Sequence, residues 1–361
     1  MRAAVLHAPG DATLDLRGDV ATLSPDSGEV RVRVKATGVC HSDLSAMTGV
    51  LPVGVPAVLG HEGAGEVVEV GSHVTSVQPG DHVVVSWTPA CGTCPECRRG
   101  QPYLCITYVI EGFTKPRFTF GDGTAAFGMA GTGTWAEELV VPWQGVIKID
   151  PDVPYEYAAL LGCGIPTGVG AAINTARVKP GSAVAVVGCG GVGLAVIQGA
   201  KIAGAVKILA VDPLESKHGQ ARRFGATHVC TPDGLDQAKF EVTGGQGFDY
   251  AFEVVGKSGA IRTAWQLARR GGDVIVVGAG AADDNVPLSA FELLFEGKNI
   301  LSSLYGGSDL RYDVGRFVDL WRAGLLDIEG LISRRIKFDE LNDAVTSLAN
   351  GEVVRQIVTF D

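Results

Sequence analysis

Four cysteines lie within one short stretch of the chain: Cys91, Cys94, Cys97 and Cys105. The gaps between them hold two, two and seven residues. Four thiolates on one loop match a tetrahedral zinc site whose coordination positions are all filled by protein, and such a site fixes the loop that carries it. An iron–sulfur cluster is the main alternative, because a C-x₂-C-x₂-C run also opens bacterial ferredoxin motifs. Those motifs continue with x₃-C-P, whereas this chain continues with x₇-C, so the spacing favours structural zinc.

The composition limits the class of protein. The 361 residues favour two domains over one, and 50 glycines indicate the many tight turns of α/β and β-rich structures. A formal net charge of −10 argues against nucleic acid and anionic membranes as partners. No apolar run reaches the roughly 18 residues of a membrane span and no signal-peptide pattern is present, so we expect a cytoplasmic protein. In that compartment clustered thiols bind metal more often than they form disulfides.

The hydrophobic pattern changes near residue 165. Before it, short strands at 29–35, 65–70 and 82–85 are separated by Gly and Pro turns, which predicts a compact antiparallel β domain. After it, strand patterns alternate with helical ones, which predicts a doubly wound parallel sheet. The predicted strands are 183–187, 207–212, 227–230, 248–254 and 273–277, and the predicted helices are 192–203, 215–224 and 261–270. The tail from about residue 305, with two helical stretches and a final strand at 356–360, is expected to return to the first domain.

A glycine-rich turn predicts a dinucleotide site in the second domain. Gly188-Cys-Gly190-Gly-Val-Gly193 follows a strand, opens a helix, and has Asp212 at the end of the next strand. The first glycine permits the tight turn, the second lets the backbone approach a pyrophosphate, and the third lets helix and strand pack closely. Asp212 would accept hydrogen bonds from the adenosine ribose and repel a 2′-phosphate, so NAD is favoured over NADP. The alternative is a turn that only packs a helix on a strand.

A second group of metal-ligand types is scattered along the chain. Cys40 lies in Gly-Val-Cys-His-Ser-Asp, His61 in Gly-His-Glu, and Cys163 in Leu-Gly-Cys-Gly. A lone buried cysteine is usually a small hydrophobic residue, and each of these segments alone is a weak signal. Two thiolates and an imidazole with one open position would together form a catalytic zinc site.

Taken together, these segments resemble the zinc-dependent alcohol dehydrogenases of the medium-chain dehydrogenase/reductase superfamily, over essentially the whole chain. The resemblance also rests on Gly60-His-Glu-Gly-Ala-Gly, Gly-Ile-Pro-Thr167-Gly and the closing Arg355-Gln-Ile-Val-Thr-Phe. It implies an α/β fold with a GroES-like β-rich catalytic domain (1–164 and 305–361, with the zinc lobe at 91–105). It also implies a Rossmann cofactor domain (165–304). Each chain would hold two zinc ions, one catalytic and one structural, and NAD.

The resemblance implies roles for individual residues. Cys40, His61 and Cys163 would bind catalytic zinc, and Asp43 would hydrogen-bond the free nitrogen of the imidazole. Glu62 matches an acid behind the metal that can act as a transient ligand. The remaining implied positions are Ser42 as the hydroxyl that passes on the substrate proton, and Trp87 as a wall of the alcohol pocket. The implied cofactor-binding residues are His41, Thr167, Gly188, Gly190, Gly191, Val192, Gly193, Asp212, Lys217 and Arg355.

The sequence departs from the family at one position. Many members carry a histidine five residues after the first zinc ligand, where it ends the proton relay, but this chain has Ser45. Proton release is therefore expected to depend on water.

The predicted function is reversible hydride transfer between NAD and a primary alcohol or aldehyde, aliphatic or aryl. The chain also resembles nicotinoprotein alcohol dehydrogenases, which retain NAD, and mycothiol-dependent formaldehyde dehydrogenase, and the sequence leaves these alternatives open. A zinc-free, quinone-reductase-like or non-catalytic member is a remote alternative, because all seven zinc ligands are present. The segment 298–305 is predicted to be the last strand of the parallel sheet, where pairing with a second copy would give a homodimer or a tetramer.

Overall fold

The computed structural model describes residues 1–360. Within them lie nineteen strands and twelve α-helices. The strands are β1 (Ala3–Leu6), β2 (Asp15–Arg17), β3 (Ala21–Thr22), β4 (Glu29–Val39), β5 (Ala57–Val58), β6 (Gly63–Val70), β7 (His82–Val85), β8 (Phe118–Thr119), β9 (Ala125–Gly128), β10 (Glu138–Pro142), β11 (Val146–Lys148), β12 (Ala183–Val187), β13 (Lys207–Val211), β14 (His228–Cys230), β15 (Phe248–Glu253), β16 (Ala268–Val276), β17 (Asn299–Ser302), β18 (Ile332–Ile336) and β19 (Arg355–Thr359). The α-helices are α1 (His41–Met47), α2 (Pro95–Arg98), α3 (Thr107–Thr114), α4 (Tyr155–Leu160), α5 (Gly164–Gly170), α6 (Gly191–Ile202), α7 (His218–Phe224), α8 (Leu235–Thr243), α9 (Ser258–Leu267), α10 (Ala290–Glu296), α11 (Leu310–Arg322) and α12 (Leu341–Ala349).

The described chain divides into two compact units. Unit 1 comprises residues 1–164, 309–319 and 328–360, and unit 2 comprises residues 165–308 and 320–327. The units differ from the predicted domains at 305–308 and 320–327, which belong to unit 2. Gly306 lies so close to α5 that a Cβ there would stand 1.9 Å from the Pro166 carbonyl oxygen. In the segment 320–327, the Asp327 N–H donates to Gln198 Oε1 at 2.8 Å, and this bond holds the segment against α6.

Unit 1 is built on two sheets. One has the strand order β2-β1-β5-β9-β8-β3, and the other has the order β11-β7-β6-β4-β19-β18, with β10 also paired to β4. The pairs are antiparallel except β5 with β9 and β18 with β19, which are parallel. Strand β18 was not predicted from the sequence, because its Ser-Arg-Arg centre is polar and exposed and does not alternate.

Strand β4 brings the first predicted zinc ligand to the centre of its sheet. Val30, Val32 and Val34 are at most 1% exposed, and the residues between them face outward, as the alternating pattern predicts. The strand was predicted to end at residue 35, but it continues to Val39. Its last residues are small and pair with β6 on one side and with β19 on the other. Cys40 therefore follows directly from a strand that is paired on both sides.

Unit 2 contains a six-stranded, all-parallel sheet in the order β14-β13-β12-β15-β16-β17. The sequence order reverses between β12 and β15, where open α/β sheets place their ligands. The helix predicted at 261–270 begins and ends three residues earlier in the structure. Helix α9 runs from Ser258 to Leu267, and β16 begins at Ala268 without an intervening turn. Among residues 1–360, no helix has both the length and the apolar character needed to cross a bilayer.

Candidate active site and metal centres

Three predicted zinc ligands that are far apart in sequence meet inside unit 1. The donor atoms of Cys40, His61 and Cys163 all lie within 4.8 Å of one another, and the three side chains are buried. Cys40 is the N-cap of α1, His61 lies between β5 and β6, and Cys163 immediately precedes α5. Among residues 1–360 this group supplies three donors, one fewer than the four of a closed zinc site, which is the number typical of catalytic zinc.

The Asp43 carboxylate orients the imidazole. It is fully buried, and its Oδ1 accepts a hydrogen bond from His61 Nδ1 at 3.0 Å and from the Gly60 N–H at 3.2 Å. Its Oδ2 accepts from the Cys40 N–H at 2.9 Å. Burial lowers the pKa of His61, but the Asp43 carboxylate and Cys40 together outweigh that effect, and the pKa lies well above its ordinary value. With Nδ1 bound to Asp43, Nε2 is the nitrogen left for a metal.

The two thiols of the cluster influence each other. Cys163 donates a hydrogen bond to Cys40, and together with the charges of Arg355 and His61 this holds the pKa of Cys40 well below its ordinary value. The same hydrogen bond and burial raise the pKa of Cys163. One thiolate is therefore favoured by the protein alone, and ionisation of both requires a cation between them.

Glu62 and Arg355 form a buried pair behind the cluster. Glu62 Oε2 accepts a hydrogen bond from Arg355 Nη1 at 3.2 Å, and Oε1 accepts from the Gly164 N–H at 2.7 Å. Burial raises the pKa of Glu62 to about 7, against the opposing charge of Arg355. Because both oxygens are engaged, Glu62 stands outside the three-donor cluster, and its role as a transient ligand stays a prediction. A role of Arg355 towards the cofactor pyrophosphate also stays a prediction.

Other predicted residues surround the cluster. Ser42 Oγ lies 3.9 Å from Cys40 Sγ. The Trp87 ring stands edge-on to the His61 ring, with centroids 6.5 Å apart and an interplanar angle of 88°. His41 is exposed at the start of α1, and Ser45 is half-buried on the same helix. The structure thus brings Ser42 and Trp87 to the cluster, as the family resemblance implies.

The four-cysteine lobe forms a second, separate cluster. The sulfur atoms of all four cysteines lie within 4.8 Å of one another. Backbone N–H groups point at these sulfurs: those of Thr93 and Cys94 donate to Cys91 Sγ at 3.4 and 3.3 Å, and that of Cys97 donates to Cys94 Sγ at 3.5 Å. The Thr107 hydroxyl and these N–H groups lower the pKa of Cys91 to about 5. The Cys97 N–H lowers the pKa of Cys94, but burial and the neighbouring thiols raise it to about 12, and burial raises the pKa of Cys97. Ionisation of all four sulfurs therefore requires a cation among them.

The lobe is tied to the segment that carries Trp87. The Thr88 hydroxyl donates to the Cys105 carbonyl oxygen at 3.2 Å, and both residues are buried. Thr88 is the next residue after Trp87, so the end of the lobe fixes the backbone beside the predicted substrate wall. Thr88 and Thr107 belong to no recognisable motif, so neither role could be predicted from the sequence.

The glycine turn of unit 2 has the tight geometry that its motif predicts. Gly188 has φ 101° and follows β12, and Gly190 is the N-cap of α6. A Cβ on Gly193 would stand 1.9 Å from the Gly188 carbonyl oxygen, whereas a Cβ on Gly190 would meet nothing within 4 Å. The backbone is thus tightly packed where the helix meets the turn at Gly193. At Gly190, the N-cap of the helix, there is free space around the backbone, and a pyrophosphate would bind there. Gly191 is the first residue of α6.

Asp212 is fixed next to this turn. Its Oδ2 accepts a hydrogen bond from the Cys189 N–H at 2.8 Å, and its Oδ1 accepts from the Leu214 N–H at 3.0 Å. Lys217 Nζ lies 3.8 Å from Oδ2. His218 Nε2 is 3.0 Å from the Asp212 carbonyl oxygen, so the first residue of α7 closes the loop.

The other predicted cofactor residues lie on α5 and α6. A Cβ on Gly168 would stand 2.5 Å from the Val192 carbonyl oxygen, so the turn of α5 that carries Thr167 packs directly on the start of α6. Sequence reasoning missed Glu253, a buried acid at the end of β15, whose Oε1 accepts from the Val255 and Gly256 N–H groups at 2.7 and 2.6 Å. This acid shapes the turn that contacts Gly188.

The donor sets fit zinc. His61 Nε2 is buried and has no hydrogen-bond partner among residues 1–360, although it lies beside two sulfurs. Such an atom costs free energy unless a ligand or ion binds it. Four sulfurs in the lobe, and two sulfurs with one nitrogen here, are the ligand types that zinc prefers.

Comparisons with known proteins agree with this assignment. Residues 26–151 match the family model of the alcohol dehydrogenase GroES-like domain, and residues 191–320 match that of zinc-binding dehydrogenases. The chain is 39% identical over 372 residues to an S-(hydroxymethyl)glutathione dehydrogenase of Escherichia coli O139:H28 (strain E24377A / ETEC), and the match covers 99% of each chain.

Solved structures resemble the whole chain. An alcohol dehydrogenase zinc-binding domain protein from Burkholderia ambifaria matches with a TM-score of 0.93 at 32% identity, covering 100% of this chain and 98% of that one. Benzyl alcohol dehydrogenase from Acinetobacter calcoaceticus matches with a TM-score of 0.90 at 33% identity, covering 100% and 99%. A putative zinc-binding dehydrogenase from Sinorhizobium meliloti 1021, bound to NADP, matches with a TM-score of 0.81 at 27% identity, covering 99% of each chain.

The fold and the two cysteine-containing clusters define a zinc-binding, nucleotide-dependent oxidoreductase with a GroES-like domain and a Rossmann-like domain. The chain belongs to the zinc-dependent alcohol dehydrogenase family of the medium-chain dehydrogenase/reductase superfamily.

Proposed function

We propose that this chain is an NAD-dependent dehydrogenase of uncharged, apolar primary alcohols, aliphatic or aryl, and that it reduces the corresponding aldehydes in reverse. The proposal includes a cytoplasmic location, which is supported by all eight cysteines being free thiols. The choice of substrate class rests on the lack of charged side chains in three segments close to the zinc ligands.

Three segments next to the zinc ligands and Trp87 carry no charged side chain. Residues 44–60, which connect α1 to His61, contain neither acid nor base, and the same holds for residues 83–90 around Trp87 and for residues 163–170. After the lobe, Ile106 at the N-cap of α3 is 59% exposed, and Ile110 and Phe113 within the helix are 52% and 41% exposed. An apolar alcohol gains from such surroundings, whereas a charged substrate would need an opposite charge to replace its hydration.

One comparison favours a second candidate. Similarity to S-(hydroxymethyl)glutathione dehydrogenase over the whole chain supports activity on a thiol adduct of formaldehyde. Such an adduct carries carboxylates, and a site for it would use cationic side chains to bind them. The uncharged segments described above contain none, so we rank this candidate second.

The chain's own residues prepare the alcohol for oxidation. Cys40, His61 and Cys163 would hold zinc, which acts as a Lewis acid and lowers the pKa of an alcohol hydroxyl. Asp43 holds the imidazole with Nε2 towards the metal position. Ser42, whose Oγ is 3.9 Å from Cys40 Sγ, would accept the hydroxyl proton while it passes its own proton on. NAD supplies the hydride acceptor.

The proton leaves Ser42 by way of water. Helix α1 has Ser45 where many relatives carry a titratable histidine, and a serine hydroxyl, which already carries its proton at neutral pH, cannot accept a further proton and keep it. His41, the other candidate base on this helix, is exposed at its first position. We therefore assign the end of the proton path to solvent.

We predict that kcat/KM for benzyl alcohol exceeds that for S-hydroxymethylglutathione and for the mycothiol adduct by roughly tenfold or more, as expected when a site lacks the partners that a polar substrate requires. Steady-state assays with NAD measure this ratio. Trp87→Ala should raise the KM for benzyl alcohol, because it removes one wall of the pocket. Trp143→Ala, at a tryptophan of the same unit that is 39% exposed, is the control and should leave the KM unchanged. Preference for a thiol adduct would overturn the proposal.

We predict a preference for NAD over NADP of roughly tenfold or more in kcat/KM, because the fixed Asp212 carboxylate accepts ribose hydroxyls and repels a 2′-phosphate. Asp212→Gly should reduce this preference by removing both effects. A wild-type enzyme that prefers NADP would contradict the assignment. The NAD content of the protein as isolated separates an exchangeable cofactor from the retained cofactor of a nicotinoprotein.

We also propose that the chain forms a homodimer, or a dimer of dimers, through unit 2. Strand β17 is an edge strand and is largely exposed. Helix α10, which precedes it, exposes Phe291, Leu294 and Phe295 at 70%, 74% and 55%. A free strand edge beside exposed apolar side chains is an aggregation hazard unless a partner covers it. Pairing the same face of a second copy about a two-fold axis covers both.

Light scattering at low micromolar concentration should give a mass of at least twice the 37.5 kDa of one chain. Ile300→Asp places a charge on the edge strand and should shift the mass towards that of the monomer. Leu325→Asp is the control, because Leu325 is 58% exposed in the same unit but lies outside this face. A monomeric wild-type protein would refute the pairing.

A further inference from the structure

The segment 132–135, just before β10, contacts both ligand-bearing segments of the catalytic cluster. None of its residues is a zinc ligand, and none takes part in the mechanism above. Thr132, Thr134 and Trp135 are all buried, with 1%, 0% and 0% exposure. Apart from bonds between Thr132 and Met129 and between Trp135 and Ala4, their hydrogen bonds go to the residues that precede Cys40 and to those that precede His61.

The segment binds the residue before His61. The Gly60 carbonyl oxygen accepts a hydrogen bond from the Thr134 N–H at 2.9 Å. It also lies 3.2 Å from the Thr132 hydroxyl, which it shares with the Met129 carbonyl oxygen at 2.8 Å. Gly60 has φ 85°, and a Cβ there would stand 2.5 Å from Trp135 Cδ1. The backbone that presents His61 is thus held on its carbonyl side by Thr132 and Thr134 and is pressed against the indole.

The segment also binds the strand end that carries Cys40. Trp135 Nε1 donates to the Gly38 carbonyl oxygen at 3.0 Å. The hydroxyl groups of Thr134 and Thr37 are 2.7 Å apart. In addition, the Gly38 N–H donates to the Glu62 carbonyl oxygen at 2.7 Å, so Gly38 is linked both to the indole and to the residue after His61.

The indole therefore lies between two backbone segments that each end in a zinc ligand. Its ring packs against Gly60, and its N–H binds Gly38. A phenylalanine could fill most of the same space, but it offers no donor to the Gly38 carbonyl oxygen. Removing that donor leaves a buried carbonyl without this partner and frees the end of β4 to shift relative to Gly60.

We propose that Thr132 and Trp135 are positioning residues for the catalytic metal centre, and that the indole N–H of Trp135 fixes the placement of Cys40 relative to His61. Groups outside the ligand shell that orient metal ligands typically change metal affinity by roughly 10- to 100-fold when they are removed. This inference concerns metal retention and does not depend on which alcohol the enzyme oxidises.

Two conservative variants of the zinc-loaded enzyme test the proposal. Trp135→Phe removes the indole N–H, and Thr132→Val removes the hydroxyl donor while keeping a similar shape. Both should lose the catalytic zinc to a chromogenic chelator roughly tenfold faster than the wild type. After cobalt replaces zinc at the catalytic site, Trp135→Phe should also show a shifted visible absorption spectrum, because the ligand geometry changes.

Two controls separate positioning from general stability. The zinc of the four-cysteine lobe, in the same molecules, should leave at the wild-type rate. Trp265→Phe removes another buried indole, in unit 2, whose Nε1 has no hydrogen-bond partner among the described residues, and it should match the wild type. Wild-type release rates and an unchanged cobalt spectrum in both site variants would overturn the proposal. It would also be overturned by equal loss of both zinc ions, or by Trp265→Phe behaving like Trp135→Phe.

Discussion

The catalytic centre depends on the buried carboxylate of Asp43. This one group accepts hydrogen bonds from the Cys40 N–H, the Gly60 N–H and His61 Nδ1. A fully buried carboxylate is costly unless several donors and a cationic neighbour compensate its charge. The same bonds that compensate it also join the strand end bearing one ligand to the turn bearing another. The hydrogen bonds that stabilise the buried charge of Asp43 therefore also set the geometry of the site.

A second carboxylate extends this arrangement to the third ligand. Glu62 follows His61, accepts from the Gly164 N–H next to Cys163, and pairs with Arg355 on β19. Each of two acids adjacent to the cluster thus links two ligand-bearing segments: Asp43 links those of Cys40 and His61, and Glu62 links those of His61 and Cys163. The long strand β4 also helps to assemble the site, because its pairing with β6 and β19 brings these segments close together.

Much of the fold and the site could be predicted because the relevant signals are local. The spacing of the four lobe cysteines and the glycine turn ending near Gly193 each fit within a few residues, and their geometry depends mainly on those residues. Asp212 was predictable because it ends the strand that follows the turn. The strand β12 and the start of β4 were likewise visible from their apolar patterns.

The remaining features depend on contacts between distant residues. Cys40, His61 and Cys163 could be joined only through resemblance to a family, because spacing alone does not show that they meet. Nothing marks the short segment at 132–135 as part of the site, since threonine, glycine and tryptophan there carry no motif. Strand β18 is defined by its pairing with β19, and the boundary between α9 and β16 is set by the sheet. Such features follow from tertiary packing, which a single sequence does not display.

The central claim is that each chain holds two zinc ions with different roles, one for chemistry and one for the lobe. The most direct measurement is the zinc content, melting temperature and turnover of Cys163→Ala and Cys97→Ser, compared with the wild type. The wild type should hold two zinc ions and each variant one. Cys163→Ala should lose turnover with its melting temperature nearly unchanged, because the catalytic site is one part of a large core, whereas Cys97→Ser should lose stability as its lobe loosens. A wild-type protein without zinc, or an equal loss of stability in both variants, would contradict the account.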